Sequence, residues 1–492
     1  MEFFCEKKYL KYYLLIISKM EKDFMKTKIL RILLGFLIYL VVFSSFPYIR
    51  QKNVSNKFKN DFDISRFYKK DGSCTYAQII RENDKARIEK IRAIDNAQDK
   101  IMLSNYRFLI DNTGEKFMAS LVAAAKRGVD IDIILDGNTL FMNLGKNNYY
   151  LALDSFPNVH MKIYNPMSLL KPRSLMGRMH DKYMIVDDEI VFVGGRNIAD
   201  RFMQTTGKYT YDWDVLLYCD KRSKNDAIGQ LKKYFYDIYD NGQRNKDIKK
   251  AAIFANDRKN KEILDNLKTI YENDKINNLD NYKNRDYPNT LIKVSRVNLI
   301  ANPINVYSKE PQVFYQIIEL MKNANKSVDI HTPYFIGNKL MYDSLKDISK
   351  KVPTRLFTNS PASGVNTAGN GEYIVHKNKI KNLGVNLLEN EKDFSYHGKA
   401  FTIDDNLSAV GSFNWDMRST YIDTELMLVI EGEEFSKKVK DEFSFYEKDA
   451  NKVLENGDKI NLAGKKMTKA SFVKKFISIM FIILFYPLRF LF

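Results

Sequence analysis

The chain has 492 residues, 45% of them hydrophobic and 13% aromatic, which is enough for two domains with their own cores and argues against a disordered protein. Lys plus Arg number 78 against 60 Asp plus Glu, a formal charge of +18 that favours anionic partners: phospholipid headgroups, nucleic acid or phosphorylated metabolites. Cys5, Cys74 and Cys219 are odd in number, far apart and without CxxC or metal spacing, so they read as free thiols.

Within an N-terminal region 1–50, the run from Ile29 to Ile49 is apolar except for Arg31 near its start. About 20 such residues cross a bilayer core, so the run predicts a membrane anchor helix; a cleaved signal peptide is the competing reading. Lys19, Lys22, Lys26 and Lys28 before it are matched by Arg50, Lys52, Lys57 and Lys59 after it, so the basic residues set no orientation. Residues 50–75 are polar and read as a tether.

Periodic structure then begins. Ile88, Ile91, Ile94 and Ala97 predict an amphipathic helix over Asp84 to Asp99, followed by a strand in KIMLSNYRF. EKFMASLVAAAKRG predicts a helix closed at Gly128, and VDIDIILDG and VHMKIYN predict strands. The second half repeats this order: VFYQIIELMKNAN as helix, KSVDIHTPYF as strand, KLMYDSLKDISKK as helix, TRLFTNS and GVNLLEN as strands. Such alternation predicts two α/β domains, 76–240 and 291–450. The Asn-, Lys- and Asp-rich stretch 241–290 reads as a polar linker with a helix in KEILDNLKTIY. The apolar stretch 470–492 is short for a spanning helix and reads as an interfacial, membrane-associating tail with Lys474 and Lys475 at the headgroups.

One spacing of reactive side chains occurs twice. His180, Lys182, Asp187 and Asn197 form the first copy, and His397, Lys399, Asp404 and Asn414 the second, with Lys 2, Asp 7 and Asn 17 positions after the His in both. Only five histidines occur in the chain, and these two lie in identical frames 217 residues apart. HDKYMIVDDEIVFVGG and HGKAFTIDDNLSAVGS each read as two strands joined at an Asp-Asp turn. Residues two apart on a strand share a face, so His and Lys of each copy project together while Asp falls at the turn. Gly194, Gly195, Gly411 and Ser412 then allow close backbone approach to a ligand.

This set suits phosphoryl chemistry. Lysine ammonium and asparagine amide groups can hold the non-bridging oxygens of a phosphodiester and stabilise a five-coordinate transition state. One neutral imidazole can attack phosphorus while a second, protonated, releases the departing alkoxide. His160, His331 and His376 read as packed or surface residues, and Trp213 and Trp415 as wall or core.

The two motifs, HxK-x4-D-x6-GG-x-N and HxK-x4-D-x6-GS-x-N, resemble those of the phospholipase D superfamily. The likeness covers most of residues 80 to 435, including AAAKRGVDIDIILDG, TPYF, LFTNS and GSFNWDMRST. It implies an α/β fold of two pseudosymmetric domains, each a central mixed β-sheet flanked by helices, with the site at their interface. It also implies His180 as nucleophile and His397 as acid/base, an assignment that the pseudosymmetry leaves reversible. Lys182 and Lys399 complete the catalytic set, with Asp187 and Asp404 as motif members fixing the turns. Asn197, Asn414, Ser412 and Gly195 would lie at the phosphate. An acid downstream of each motif would orient each histidine, and Asp214 in YDWDVLLY and Glu425 in YIDTELMLVI stand where those acids are expected.

Gly195 where the other copy has Ser412 mildly supports the cardiolipin synthase-like subgroup. That subgroup implies a metal-independent, cofactor-free phosphatidyltransferase of a bacterial cell membrane. Its donor would be phosphatidylglycerol, with phosphatidylethanolamine left open, and nucleic acid is not expected as a partner. A hydrolase passing the intermediate to water, an envelope-tethered nuclease and a noncatalytic scaffold are the competing readings.

Overall fold

In the computed structural model, which describes residues 26–68, 75–220, 227–242, 244–252, 256–392 and 394–492, each motif forms one antiparallel hairpin. Lys182–Val186 pairs with Ile190–Gly194, and Ala400–Ile403 with Leu407–Gly411. Asp187, Asp188 and Asp404 turn these hairpins at φ 52°, 56° and 50°, a left-handed conformation that Asp tolerates better than most residues. Cys5, Cys74, Lys19 and Lys22 lie outside the described residues; Cys219 is buried and free.

Each hairpin sits inside a nine-stranded sheet. The first runs Ile292–Val294, Thr75–Ile80, Asp214–Cys219, Ile190–Gly194, Lys182–Val186, Lys100–Asn105, Asp130–Asp136, Val159–Tyr164, Lys246–Asp247. The second begins Arg296–Ala301, Leu426–Glu431, Leu407–Gly411, Ala400–Ile403, Val328–His331, Thr354–Asn359, Asn386–Asn390. From Thr75–Ile80 in the first sheet and Arg296–Ala301 in the second, seven strands follow in the same order. Both sheets are mixed: the hairpins are antiparallel, whereas Lys100–Asn105 and Val328–His331 each begin a run of three parallel strands. The predicted fold class is the observed one.

Helices cover the sheets for the expected reason. Asn112–Lys126 buries Phe117, Met118, Leu121, Val122 and Ala125 at helical spacing, and Gly128 at φ 94° ends it. Between the two sheets, Val193, Trp213 and Val215 share one apolar core with Val410, Leu426 and Leu428. The halves therefore meet face to face through a dry interior, and the chain crosses from one sheet to the other at Ser295.

Three segments are more integrated than their composition implies. The polar stretch after 241 contains the helix Asn260–Asn277, whose Ile263 and Leu267 join the first core while Asp274 meets Lys116 at 2.6 Å. The segment after the anchor is not a free tether: Phe67 is buried in the second core and Arg66 donates to Gln316 at 2.9 Å. The anchor, Lys26–Tyr48, is among the described residues the one helix long and apolar enough to cross a membrane, and Tyr48 at its end donates to Val306 O at 2.6 Å.

The C-terminal segment is the third. Its helix Phe472–Phe485 buries Ser478 and Ile482 against the helix Thr367–Lys381. Gly371 permits this approach, since a Cβ there would collide with the Ser478 carbonyl and Ile482. Arg489 closes on buried Glu372 at 2.6 Å. One face of the tail is docked, although Phe472 on the other face is 81% exposed.

Candidate active site

His180 lies two residues before Lys182–Val186 and His397 three before Ala400–Ile403, and a backbone carbonyl of the other half holds each. His180 N–H donates to Thr424 O at 3.2 Å and His397 N–H to Tyr211 O at 2.7 Å. The residue after each acceptor is an acid. Glu425 Oε1 lies 2.9 Å from His180 Nδ1, and Asp212 Oδ2 lies 2.5 Å from His397 Nδ1. Each half thus supplies the carboxylate for the histidine of the other. With Nδ1–H donating to the acid, each Nε2 keeps its lone pair for chemistry.

The sheet register explains why Asp212, and not Asp214, does this. Gly194 pairs with Asp214 as Gly411 pairs with Met427, so Asp212 is the counterpart of Glu425 and Asp214 that of Met427. The expectation for Asp214 is corrected: it is buried against Lys90 at 2.9 Å and Arg196 at 3.3 Å. Glu425 takes its expected place.

The glycine variant follows from the same geometry. A Cβ on Gly195 would collide with the Asp212 carboxylate, so a short acid lying close to the backbone requires glycine opposite. In the other half, Ser412 Oγ donates to Glu425 Oε2 at 2.5 Å and Ser419 Oγ to Oε1 at 2.6 Å. Ser412 and Gly195 are therefore corrected from phosphate contacts to positions that shape and hold the acids; neither lines the cavity described next.

Both histidines open into one cavity of about 320 Å³. Asn197 and Asn414 line it too, and the Oδ1 of each is buried without a protein partner. Arg107 and Arg201, which form no ion pair among the described residues, add positive charge to its wall, while Arg418 there is paired with Asp423 at 2.8 Å; the two unpaired guanidinium groups suit an anionic ligand. Lys182 and Lys399 are buried directly behind the histidines. Lys182 Nζ donates to His180 O and lies 5.1 Å from the Tyr106 ring centre; Lys399 Nζ lies 2.6 Å from His397 Nδ1 and 3.7 Å from Asp212.

Burial and the crowding of cations set the protonation states. Burial and the Lys182 ammonium push the His180 imidazole well below its ordinary value. Burial and Lys399 lower His397 to about 4, against the opposing pull of Asp212. Burial lowers Lys182 to about 7 and Lys399 to about 8. The acids differ: burial pushes Glu425 up to about 8, whereas Lys399 and His397 overcome burial and hold Asp212 below the usual carboxylate range. Asp212 stays anionic beside His397; Glu425 is largely neutral beside His180.

Asp187 and Asp404 lie away from this chemistry. Asp187 accepts from the backbone of Gln98, Asp99 and Lys100 at 2.8–2.9 Å, and Asp404 from Asn325, Lys326 and Ser327 at 2.7–3.2 Å. Seven residues of nearly extended chain, about 20 Å, separate them from the histidines. Their place in the catalytic set is corrected to that of turn clamps, as the sequence spacing itself implied. The bland readings of the other histidines agree with the structure: His331 is buried between Tyr396 and Glu447, His376 pairs with Glu372 at 3.3 Å, and His160 lies at the surface.

Besides Asp212, sequence reasoning missed Tyr106, whose ring lies 4.9 Å from that of His180, and Phe202, 5.3 Å from His397. It also missed Gly398, the middle residue of the second HxK, where any side chain would collide with the Trp213 indole. Only the last had a signal, a glycine inside a strand motif.

Comparison with known proteins agrees with this geometry. The family model described as "Cardiolipin synthase, PLD-like domain" matches residues 91–239 and 317–446, more than half of the chain. Cardiolipin synthase C of Escherichia coli (strain K12) is 26% identical over 447 residues, covering 82% of this chain and 92% of that protein. An uncharacterized protein of Helicobacter pylori (strain ATCC 700392 / 26695) is 27% identical over 410 residues, covering 74% and 78%. Among solved structures, phosphatidylserine synthase of Haemophilus influenzae Rd KW20 shares the fold with a TM-score of 0.58 at 14% identity, covering 84% of this chain and 93% of that one. With its duplicated sheets, paired histidines and more than half its length matched, the chain belongs to the cardiolipin synthase-like, phospholipase D-type family of phospholipid enzymes.

Proposed function

We propose that this protein is a membrane-anchored phosphatidyltransferase of the cardiolipin synthase type, moving a phosphatidyl group onto phosphatidylglycerol. The observation that carries it is the pair of imidazoles, each backed by an acid from the opposite half, opening into one cationic cavity.

His180 Nε2 attacks the phosphorus of the donor, forming an N–P bond as the P–O bond to the leaving glycerol breaks. The negative charge of the bound phosphate offsets the Lys399 ammonium that holds His397 low in the free protein, so His397 takes up a proton with the substrate and, as imidazolium, gives its Nε2 proton to the departing oxygen. The primary hydroxyl of a second phosphatidylglycerol then returns a proton to His397 Nε2 and attacks phosphorus, and the N–P bond breaks. Two phosphatidylglycerols become cardiolipin and glycerol. The contrast between the acids supports this division of labour, because anionic Asp212 stabilises an imidazolium at His397 while largely neutral Glu425 leaves His180 uncharged. Asn197 and Asn414 hold the phosphate oxygens, and Lys182 and Lys399, buried behind the histidines, offset the phosphate's charge. No metal or cofactor enters the scheme.

The helix Lys26–Tyr48 supports placement in a bacterial cell membrane. Purified protein incubated with labelled phosphatidylglycerol is expected to yield cardiolipin and glycerol. Phosphatidic acid as the lipid product would reassign the enzyme as a hydrolase, and no turnover would reject the proposal.

A further inference from the structure

A second cavity of about 260 Å³ adjoins the catalytic one, and the end of the chain builds part of it. Tyr334, Asn366, Asp416 and Arg418 line both cavities. The remaining wall is mostly apolar: Ile336 and Ala368 below, Phe481 and Phe492 above. Phe492 is the last residue. Its carbonyl accepts from the backbone N–H of Arg418 at 3.0 Å, and Arg489 fixes the turn before it by donating to Glu372 at 2.6 Å and to Gly337 O at 2.8 Å. A buried ion pair and a main-chain bond thus hold an apolar terminus against the rim of the active site.

We infer that this cavity is a subsite for an acyl chain of the phospholipid whose phosphate lies between His180 and His397, and that the C-terminal tail is a substrate-binding element as well as a membrane contact. The inference rests on the lipid reading of the site. Three observations carry it. The cavity adjoins the phosphate cavity and shares four lining residues with it, which puts it within reach of an acyl chain of the molecule whose phosphate lies there. Its far wall offers aromatic and aliphatic carbon, which an acyl chain buries favourably, and beyond the four shared residues only Thr367 has a side chain that could bond the hydroxyls of a sugar or the edge of a base. The same helix turns Phe472, Ile483 and Leu484, 81%, 61% and 72% exposed, away from the protein, giving the subsite a neighbouring surface suited to hydrocarbon. A chain leaving the bilayer along that helix meets Phe481 and Phe492 before it meets the catalytic residues.

The test uses the full-length protein in nanodiscs containing phosphatidylglycerol with a photoactivatable diazirine near the end of one acyl chain. Photolysis is expected to place adducts on Ile336, Ala368, Phe481 or Phe492, besides those on the exposed face of the helix. Ala368→Leu, which fills the cavity, is expected to lose the inner adducts and keep the outer ones. Thr367→Trp, at a half-exposed rim position, repeats the blockade where a folding defect is less of a concern. Adducts confined to the exposed face, or inner adducts that survive both substitutions, would overturn the inference. Cardiolipin is scored in the same samples: inner adducts without cardiolipin reject the transfer reading alone, and cardiolipin without inner adducts rejects the subsite alone.

Discussion

Asp212 and His397 lie 2.5 Å apart, carboxylate to Nδ1, although 185 residues separate them, because the short strands just before them, Thr210–Tyr211 and Ser395–Tyr396, pair across the two halves. Substituting Asp212→Asn removes the anion that holds the tautomer and supports the imidazolium, so turnover is expected to fall about 100-fold or more with little change in folding. Asp214→Asn should do the opposite, because it strands Lys90 and Arg196 without their buried counter-ion, at a cost of about 3–5 kcal/mol in stability. Lipid-product assays alongside urea denaturation separate the two.

Gly195→Ser would make the first motif identical in type to the second. It is expected to inactivate the enzyme, since the new Cβ occupies the space of the Asp212 carboxylate. Turnover near that of the unaltered protein would show that Asp212 can move without consequence, contrary to its role here.

His180→Ala and His397→Ala should each abolish transfer. They differ in what accumulates: His397→Ala retains the nucleophile and is expected to hold an acid-labile phosphatidyl adduct on His180, visible by mass spectrometry of the intact protein, whereas His180→Ala shows none. The converse pattern would reverse the assignment. Lys182→Met or Lys399→Met should weaken transition-state stabilisation by about 3 kcal/mol, read as a loss in kcat/KM.

The lysines also predict a pH dependence. Burial lowers Lys182 to about 7 and Lys399 to about 8 from 10.5. Between these values and 10.5 the unfolded chain holds protons that the folded chain has lost, so these groups make the free protein more stable as pH rises through that window. Anion binding runs the other way, because it needs the ammonium form. The gain in Tm from inorganic phosphate or vanadate is expected to be larger at pH 6.5 than at pH 9, to depend less on pH in Lys182→Met, and to lose the dependence only when Lys399 is replaced as well. A gain that is flat or grows with pH would contradict charged lysines at the phosphate.

Asp187→Ala and Asp404→Ala should cost stability rather than chemistry. Each removes the acceptor for three backbone N–H groups and puts alanine at positive φ, a loss of roughly 1–3 kcal/mol. Under conditions where the variants remain folded, kcat is expected to stay near that of the unaltered protein.

Much of this site was legible because the spacing within a motif is a local property. His, Lys and Asn sit at fixed offsets along a single hairpin, and strand periodicity alone puts His and Lys on one face. The orienting acids obey no such offset. Asp212 follows Asn197 by 15 residues and Glu425 follows Asn414 by 11, and in YDWDVLLY two acids two positions apart fit a strand edge equally well. Ladder register chooses between them, and register is a relation between strands distant in the chain. The tail is legible only in part for a related reason: its apolar composition reads as a lipid contact, and nothing in it shows that Gly371 and Glu372 receive one of its sides.

The sequence by itself determined the paired His/Lys/Asn motifs, the duplicated α/β plan and the presence of a long apolar segment near the start, since each is written in residue types at short spacings. Only the tertiary structure decided which carboxylate serves which histidine, why one motif carries glycine where the other carries serine, and what the end of the chain touches. Those answers depend on contacts between segments far apart in sequence, which a linear pattern leaves open and close packing resolves.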